Sequence, residues 1–378
     1  MIYKLVTSLL GRDSGRTVGL LLGPLDLSTR NGQMTRIDRV GRTLGAVAVA
    51  MFMVTGADLF AQSTTTNPFK PLYGWGELPE GREWGSTSSV EIALDGNIWV
   101  AERCGANTCV GSDVDPVLLY DKEGKLLRSF GAGLIAWPHG IDVDHEGNVW
   151  IADAWRRGAT NTGHAVLKFS PEGELLMTIG TPGEAGDPPN HLTQPSDVLV
   201  APNGQIYVVD SHDRTVGRVV RYAADGTYME TWGELGYGPK QFRDPHALAM
   251  DSQGRIFVGD RYNNRIQIFS QEGEFLAIWT QFGRPSGIYI DANDMIYVAD
   301  SESSPAPNEF TGQRNAGWEK GIRIGDARTG WVQYFLPDDR SNVMGFSGPE
   351  GVAVDSDGNV YGAEVSQRRV TKWLRFRP

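Results

Sequence analysis

Residues 138–153 read PHGIDVDHEGNVWIAD. The same sixteen-residue pattern returns as PSDVLVAPNGQIYVVD (195–210), PHALAMDSQGRIFVGD (245–260), PSGIYIDANDMIYVAD (285–300) and PEGVAVDSDGNVYGAE (349–364). A shorter copy, SSVEIALDGNIWVAE, occupies 88–102. The first half of each copy alternates apolar with other residues, as at Ile141 and Val143 or Val352 and Val354. The middle carries Asp, Asn and Gly, which tolerate turn dihedrals, and the second half is rich in Val, Ile, Tyr and Trp, which suit a pleated strand. Each copy therefore predicts a β-hairpin.

A second hairpin follows each first one: PVLLYDKEGKLLRSFG (116–131), AVLKFSPEGELLMTIG (165–180), RVVRYAADGTYMETWG (218–233), RIQIFSQEGEFLAIWT (265–280) and GIRIGDARTGWVQYFL (321–336). Four antiparallel strands per unit, repeated six times, predict an all-β, six-bladed β-propeller. The sixth unit supplies RVTKWLRF (369–376) and is then one strand short. The segment PLYGWG (71–76) resembles YMETWG (228–233), so an N-terminal strand is expected to complete the last blade and hide its edge. The propeller is assigned to residues 70–378.

The first sixty residues read differently. From Met34 the chain carries Arg36, Arg39 and Arg42, then an apolar run from Leu44 to Val54, then small residues ending at Ala61. Basic, apolar and small, in that order, is a secretory signal, and the apolar run is too short to span a bilayer comfortably. Residues 34–61 are assigned as a signal peptide and 62–69 as a linker. Residues 1–33 are an unassigned extension, with Met34 the candidate initiator. The mature protein is expected to be secreted or periplasmic, with no stable membrane span after cleavage. Cys104 and Cys109 are the only cysteines, and in an exported chain they suit a small-loop disulfide. Past residue 61, 42 Asp and Glu face 28 Lys and Arg. Such an acidic surface repels phosphate backbones and argues against nucleic acid as a partner. A closed propeller needs no partner copy for its stability, so a monomer is expected.

Aligned on the residue after proline, five repeats give His139, Ser196, His246, Ser286 and Glu350, each 14 residues before the acid that ends the second strand. In the shorter first repeat the equivalent is Ser88 or Val90. Radial repeats place equivalent residues at one height around the axis, so His139, His246 and Glu350, from alternate blades, should face one point. Two imidazoles and a carboxylate suit a catalytic zinc with an open position, or non-haem Fe2+. The strand-ending acids Glu102, Asp153, Asp210, Asp260, Asp300 and Glu364 occur once per blade and predict a structural role. Three residues just past them stand out: Arg103, His212 and Arg261. An arginine there can hold a carboxylate by parallel bonds, and an imidazole can move a proton near neutral pH.

The segments VGDRYNNRIQIF and PHGIDVDHEGNVWIAD resemble the NHL repeat family over roughly residues 70–376. Within it, the paired PHG and PHA segments resemble peptidyl-α-hydroxyglycine α-amidating lyase, a six-bladed propeller that cleaves peptidyl-hydroxyglycine to a peptide amide and glyoxylate. The resemblance implies Zn2+ in the central channel, with His139 and His246 as ligands and Arg103 and Arg261 as catalytic residues. A structural Ca2+ is a further cofactor candidate. Three positions depart from that pattern: Glu350 stands where a third His is expected, His212 where a catalytic Tyr is expected, and Gly348 where a Met is expected. The expected function is a metal-dependent lyase acting on a small-molecule or peptide-derived substrate, with His212 moving a proton. The alternatives are a non-catalytic propeller binding a protein, peptide or glycan, and a lactonase-like metallohydrolase.

Overall fold

A computed structural model describes residues 67–155, 160–212, 214–304, 315–339 and 346–376. The expected extension and signal peptide lie outside the described residues. Six four-stranded antiparallel sheets follow one another along the chain. In blade two the strands are Pro138–Val143, Val149–Asp153, Ala165–Phe169 and Leu175–Gly180, ordered from the axis outward. Blade six takes three strands from the C-terminal repeat. Its outer strand is Phe69–Trp75, which pairs antiparallel with Arg369–Arg375 from Phe69↔Arg375 to Trp75↔Val370.

The hydrophobic core is divided among the faces between blades. Trp99 and Phe130 of blade one pack on Ile151 and Phe169 of blade two. Similar clusters join blades two and three, three and four, four and five, and five and six. A further cluster, with Val100 and Tyr120 from blade one and Tyr361 and Val370 from blade six, closes the circle. Alternation within each strand thus sends side chains to two neighbours, one per face.

The strand-ending acids are buried, and Glu102, Asp153, Asp210, Asp260 and Asp300 accept backbone hydrogen bonds. Asp153 takes the N–H groups of Ala136, Trp137 and Gly163 at 2.8–2.9 Å. Asp210 takes those of Thr193 and Gln194, Asp300 those of Arg284 and Ser303, and Glu102 those of Gly85 and Gly105. Each of these four carboxylates thereby ties a strand end to the chain entering the same blade's innermost strand. Arg265 and Arg369, five residues past their acids, pair with Asp260 and Glu364 at 2.7 Å. Cys104 and Cys109 are joined in a disulfide. Among the described residues, no helix is long and apolar enough to cross a membrane.

Candidate metal centre in the central channel

The ring of residues after proline is set by strand register. Pro138, Pro195, Pro245 and Pro349 lie opposite Asp153, Asp210, Asp260 and Glu364. In blade one Thr87 lies opposite Glu102, which makes Ser88 the equivalent of His139. Hydrogen bonds pass from blade to blade at this level. Ser88 Oγ donates to Pro138 O at 2.8 Å, His139 Nδ1 to Ser196 O at 2.6 Å, Ser196 Oγ to Pro245 O at 2.9 Å and His246 Nδ1 to Ser286 O at 2.6 Å. One step along the strand, glycine keeps the channel narrow. A Cβ on Gly140 would sit 2.1 Å from Asp197 Oδ1, and one on Gly351 2.5 Å from Ser89 Cα.

The hydrogen bonds decide what the imidazoles offer. A carbonyl oxygen only accepts, so Nδ1 carries the proton and Nε2 of a neutral ring presents a lone pair. His139 Nε2 and His246 Nε2 are buried without a hydrogen-bond partner. They lie 3.8 and 3.4 Å from Glu350 Oε1. Donors each about 2.0–2.2 Å from a shared ion at tetrahedral angles would lie roughly 3.3–3.6 Å apart. The structure therefore brings His139, His246 and Glu350 to one point, and two orphaned buried nitrogens beside a carboxylate fit a metal ion. Burial, then Arg103 and Arg261, hold the His139 ring well below the usual histidine range; burial, then Arg261 and the neighbouring imidazoles, do the same for His246. Both stay neutral, the form that ligates. Burial raises the Glu350 carboxyl, against the pull of the same two arginines.

Arg103 and Arg261 both reach Glu350, at 3.8 and 3.4 Å. Arg261 is mainly engaged elsewhere: its Nε and Nη2 donate to Asp244 Oδ2 at 2.9 and 2.6 Å. Burial would lower Arg261, but Asp244, Glu302 and Glu350 raise it above the ordinary arginine value. Arg103 lies over the Trp137 ring at 3.9 Å and donates to Pro138 O and to Asn107 inside the disulfide loop. Its Nη2 has no hydrogen-bond partner. Burial lowers Arg103 to about 10, only partly offset by Glu350. His212 lies among the imidazoles, its ring 4.7 Å from His139 and 5.1 Å from His246.

Three neighbours carry no signal in the aligned ring. Asp244 and Trp137 directly precede the repeat prolines, two residues before His246 and His139, and Glu302 sits two residues past Asp300, where blade three has His212. Arg284 holds Glu302 at 3.0 Å. Asp244 was findable as a charged residue before a repeat proline; Trp137 and Glu302 show their part only in space.

Further along the channel, Glu91 and Asp142 occupy equivalent positions on adjacent innermost strands, with Asp197 close by. Burial and then Asp142 raise Glu91, and burial raises Asp142 to about 7. Carboxyl groups raised in the fold contribute stability below the unfolded value near 4, and that contribution is lost as pH rises through the folded value, about 7 for Asp142. Glu91→Gln keeps an acceptor for the Ile92 N–H, which Glu91 binds at 2.8 Å. The variant should melt above the wild type at pH 8 and level with it at pH 5, as read by thermal denaturation.

A second group of donors, Asp338, Asp339 and Glu364, also lies within ligand distance. Arg369 bridges Asp339 and Glu364 at 3.0 and 2.7 Å, and Gln367 donates to Asp338. One guanidinium and one neutral amide occupy part of this set of three carboxylates, which is where the described residues could seat the expected Ca2+.

A family model of the NHL repeat matches residues 242–269. NHL repeat-containing protein 3 of Homo sapiens is 34% identical over 213 residues, 54% of this chain and 58% of that protein. Peptidyl-glycine alpha-amidating monooxygenase B of Xenopus laevis is 30% identical over 276 residues, 68% of this chain and 28% of that protein. A probable peptidyl-alpha-hydroxyglycine alpha-amidating lyase of Caenorhabditis elegans is 30% identical over 158 residues, 41% of this chain and 43% of that protein. The chain spans less than two thirds of each. Among solved structures, a gluconolactonase from Xanthomonas campestris superposes with a TM-score of 0.54 at 13% identity, covering 78% of this chain and 87% of that one. A streptogramin B lyase gives 0.51 at 13% identity, covering 81% and 98%. Likeness at that identity speaks to the propeller fold alone. The chain is thus a six-bladed β-propeller with an NHL repeat at residues 242–269, and its sequence resembles the peptidyl-α-hydroxyglycine α-amidating lyases.

Proposed function

We propose that His139, His246 and Glu350 hold a divalent metal, zinc in the first instance, and that the channel mouth carries out a lyase reaction of the peptidyl-α-hydroxyglycine type or a close variant. The observation that carries this is the pair of buried Nε2 atoms without partners, aimed at one carboxylate 3.4–3.8 Å away. A metal bound there supplies Lewis acidity toward a substrate oxygen. In the reaction the substrate hydroxyl loses its proton, its C–O bond becomes the aldehyde of glyoxylate, the C–N bond breaks, and the amide nitrogen takes a proton. No oxidant is needed. Arg103 suits the substrate carboxylate, because its Nη2 is buried without a hydrogen-bond partner, Glu350 standing 3.8 Å off. Arg261, braced by Asp244, keeps a positive charge against Glu350.

The test is glyoxylate release from a peptide ending in α-hydroxyglycine, abolished by chelation and restored by Zn2+. Arg103→Lys removes the planar fork while keeping the charge. It should raise KM about tenfold, the equivalent of roughly 1.4 kcal/mol of substrate binding. No glyoxylate from a zinc-loaded chain would overturn the lyase reading.

A second reading, a propeller that binds a protein, peptide or glycan without chemistry, is favoured by the match to NHL repeat-containing protein 3, whose name carries no activity. It predicts no stoichiometric metal after dialysis. The lactonase alternative gains nothing from the gluconolactonase superposition, which is a likeness of fold. The disulfide and the N-terminal basic–apolar–small pattern support secretion or a periplasmic location. The working picture is a monomer with a peptide-derived or small-molecule substrate and no nucleic-acid partner.

A further inference from the structure

We infer that His212 is a fourth protein ligand of the same metal, so that the centre is three imidazoles and one carboxylate. This rests on the proposed metal centre and deepens it. His139, His246 and Glu350 come from the innermost strands of blades two, four and six. His212 comes from the turn after the second strand of blade three, two residues past Asp210. Repeat register therefore gives no reason for it to meet the other three, yet one donor atom from each of the four lies within 4.8 Å of all the others.

The turn is built to bring it there. Asp210 accepts the N–H groups of Thr193 and Gln194, and the N–H groups of Ser211 and His212 in turn donate to Gln194 O at 3.1 Å. These bonds fold the turn back over the start of blade three's innermost strand, beside the axis. Trp137 then closes against the imidazole edge-on, with ring centroids 4.9 Å apart. The resulting triangle of imidazoles has centroid separations of 4.5, 4.7 and 5.1 Å.

The chemistry favours a ligand over a proton carrier. Two of the three rings present lone pairs that meet no donor. The third imidazole packs against this pair with a ring nitrogen within reach of the same point. As a ligand, His212 is no longer the group that moves the substrate's proton.

The test is metal binding, not turnover. Zn2+ affinity is measured by competition with a chromophoric chelator, and the visible absorption of the Co2+-substituted protein reports coordination. His212→Ala should weaken Zn2+ binding about a hundredfold and change the Co2+ spectrum, with folding checked by circular dichroism. His212→Asn, closer in size and polarity, should do the same, which guards against a packing defect. His145→Ala, at an exposed turn, should change neither. If His212→Ala and His212→Asn bind Zn2+ as the wild type does and keep its Co2+ spectrum while His139→Ala loses the ion, His212 is no ligand and the three-residue centre stands. If His139→Ala also binds as the wild type, the metal centre itself is wrong, and this inference falls with it.

Discussion

His139→Ala and His246→Ala should each strip the metal from a chain that still folds, and lyase activity should fall by about a thousandfold or more. Each substitution removes one of the two nitrogens whose lone pairs are fixed on Glu350 by hydrogen bonds to Ser196 O and Ser286 O. Loss of Lewis acidity is worth several kcal/mol of transition-state stabilisation, and each 1.36 kcal/mol is tenfold in rate. The fold should survive because neither ring belongs to the apolar clusters between blades. The local cost is one buried carbonyl left without its donor, about 1–3 kcal/mol. Metal per chain after dialysis is the first measurement. Thermal denaturation gives a second: Zn2+ at a thousandfold over its Kd should stabilise the wild type by about 4 kcal/mol, and the variants by nothing. A His139→Ala chain that keeps one metal per molecule and its melting shift would remove the basis for the enzyme reading.

How much of this centre could be read from sequence depends on whether a residue obeys the repeat. His139, His246 and Glu350 do, because a radial array converts sequence register into height around an axis. The strand-ending acids obey it too, and in five of the six blades they accept backbone hydrogen bonds. Blade one was ambiguous because its copy is shorter, and only the pairing Thr87↔Glu102 assigns Ser88 to the ring. His212 was visible as a departure, but its meeting with the other imidazoles depends on how one turn folds, which no spacing encodes. The tie between Arg261 and Asp244 is similar: the residues are 17 apart, and the left-handed backbone at Asp244, φ 60°, aims its carboxylate. Asp is among the few residues that adopt this conformation readily. Periodicity thus fixes what every blade shares, while chemistry collects where one blade breaks the pattern.

The strand Phe69–Trp75 carries the second large effect, and it bears on stability. A chain beginning at residue 67 should fold like the full-length protein, whereas one beginning at residue 77 should associate or precipitate. The difference is that strand alone. Without it, Arg369–Arg375 becomes an open edge, a row of unpaired N–H and C=O groups able to pair with another chain. Two interblade cores would open as well, because Phe69 packs in the cluster between blades five and six and Trp75 in the one between six and one. Trp75 meets Tyr120 of blade one at 5.3 Å and Tyr361 of blade six at 5.0 Å, and its Nε1 donates to Lys122 O at 3.1 Å. It therefore joins the first blade to the last. Trp75→Ala alone should cost about 3–5 kcal/mol through the cavity it leaves. Leu72→Ala, at an exposed position of the same strand, should cost less than about 0.5 kcal/mol. Size-exclusion chromatography of the two truncations and denaturant melts of the two point variants read these effects directly. A monomeric chain from residue 77 with an unshifted melt would mean that the ring holds without its closing strand, and that the cores between the other blades suffice.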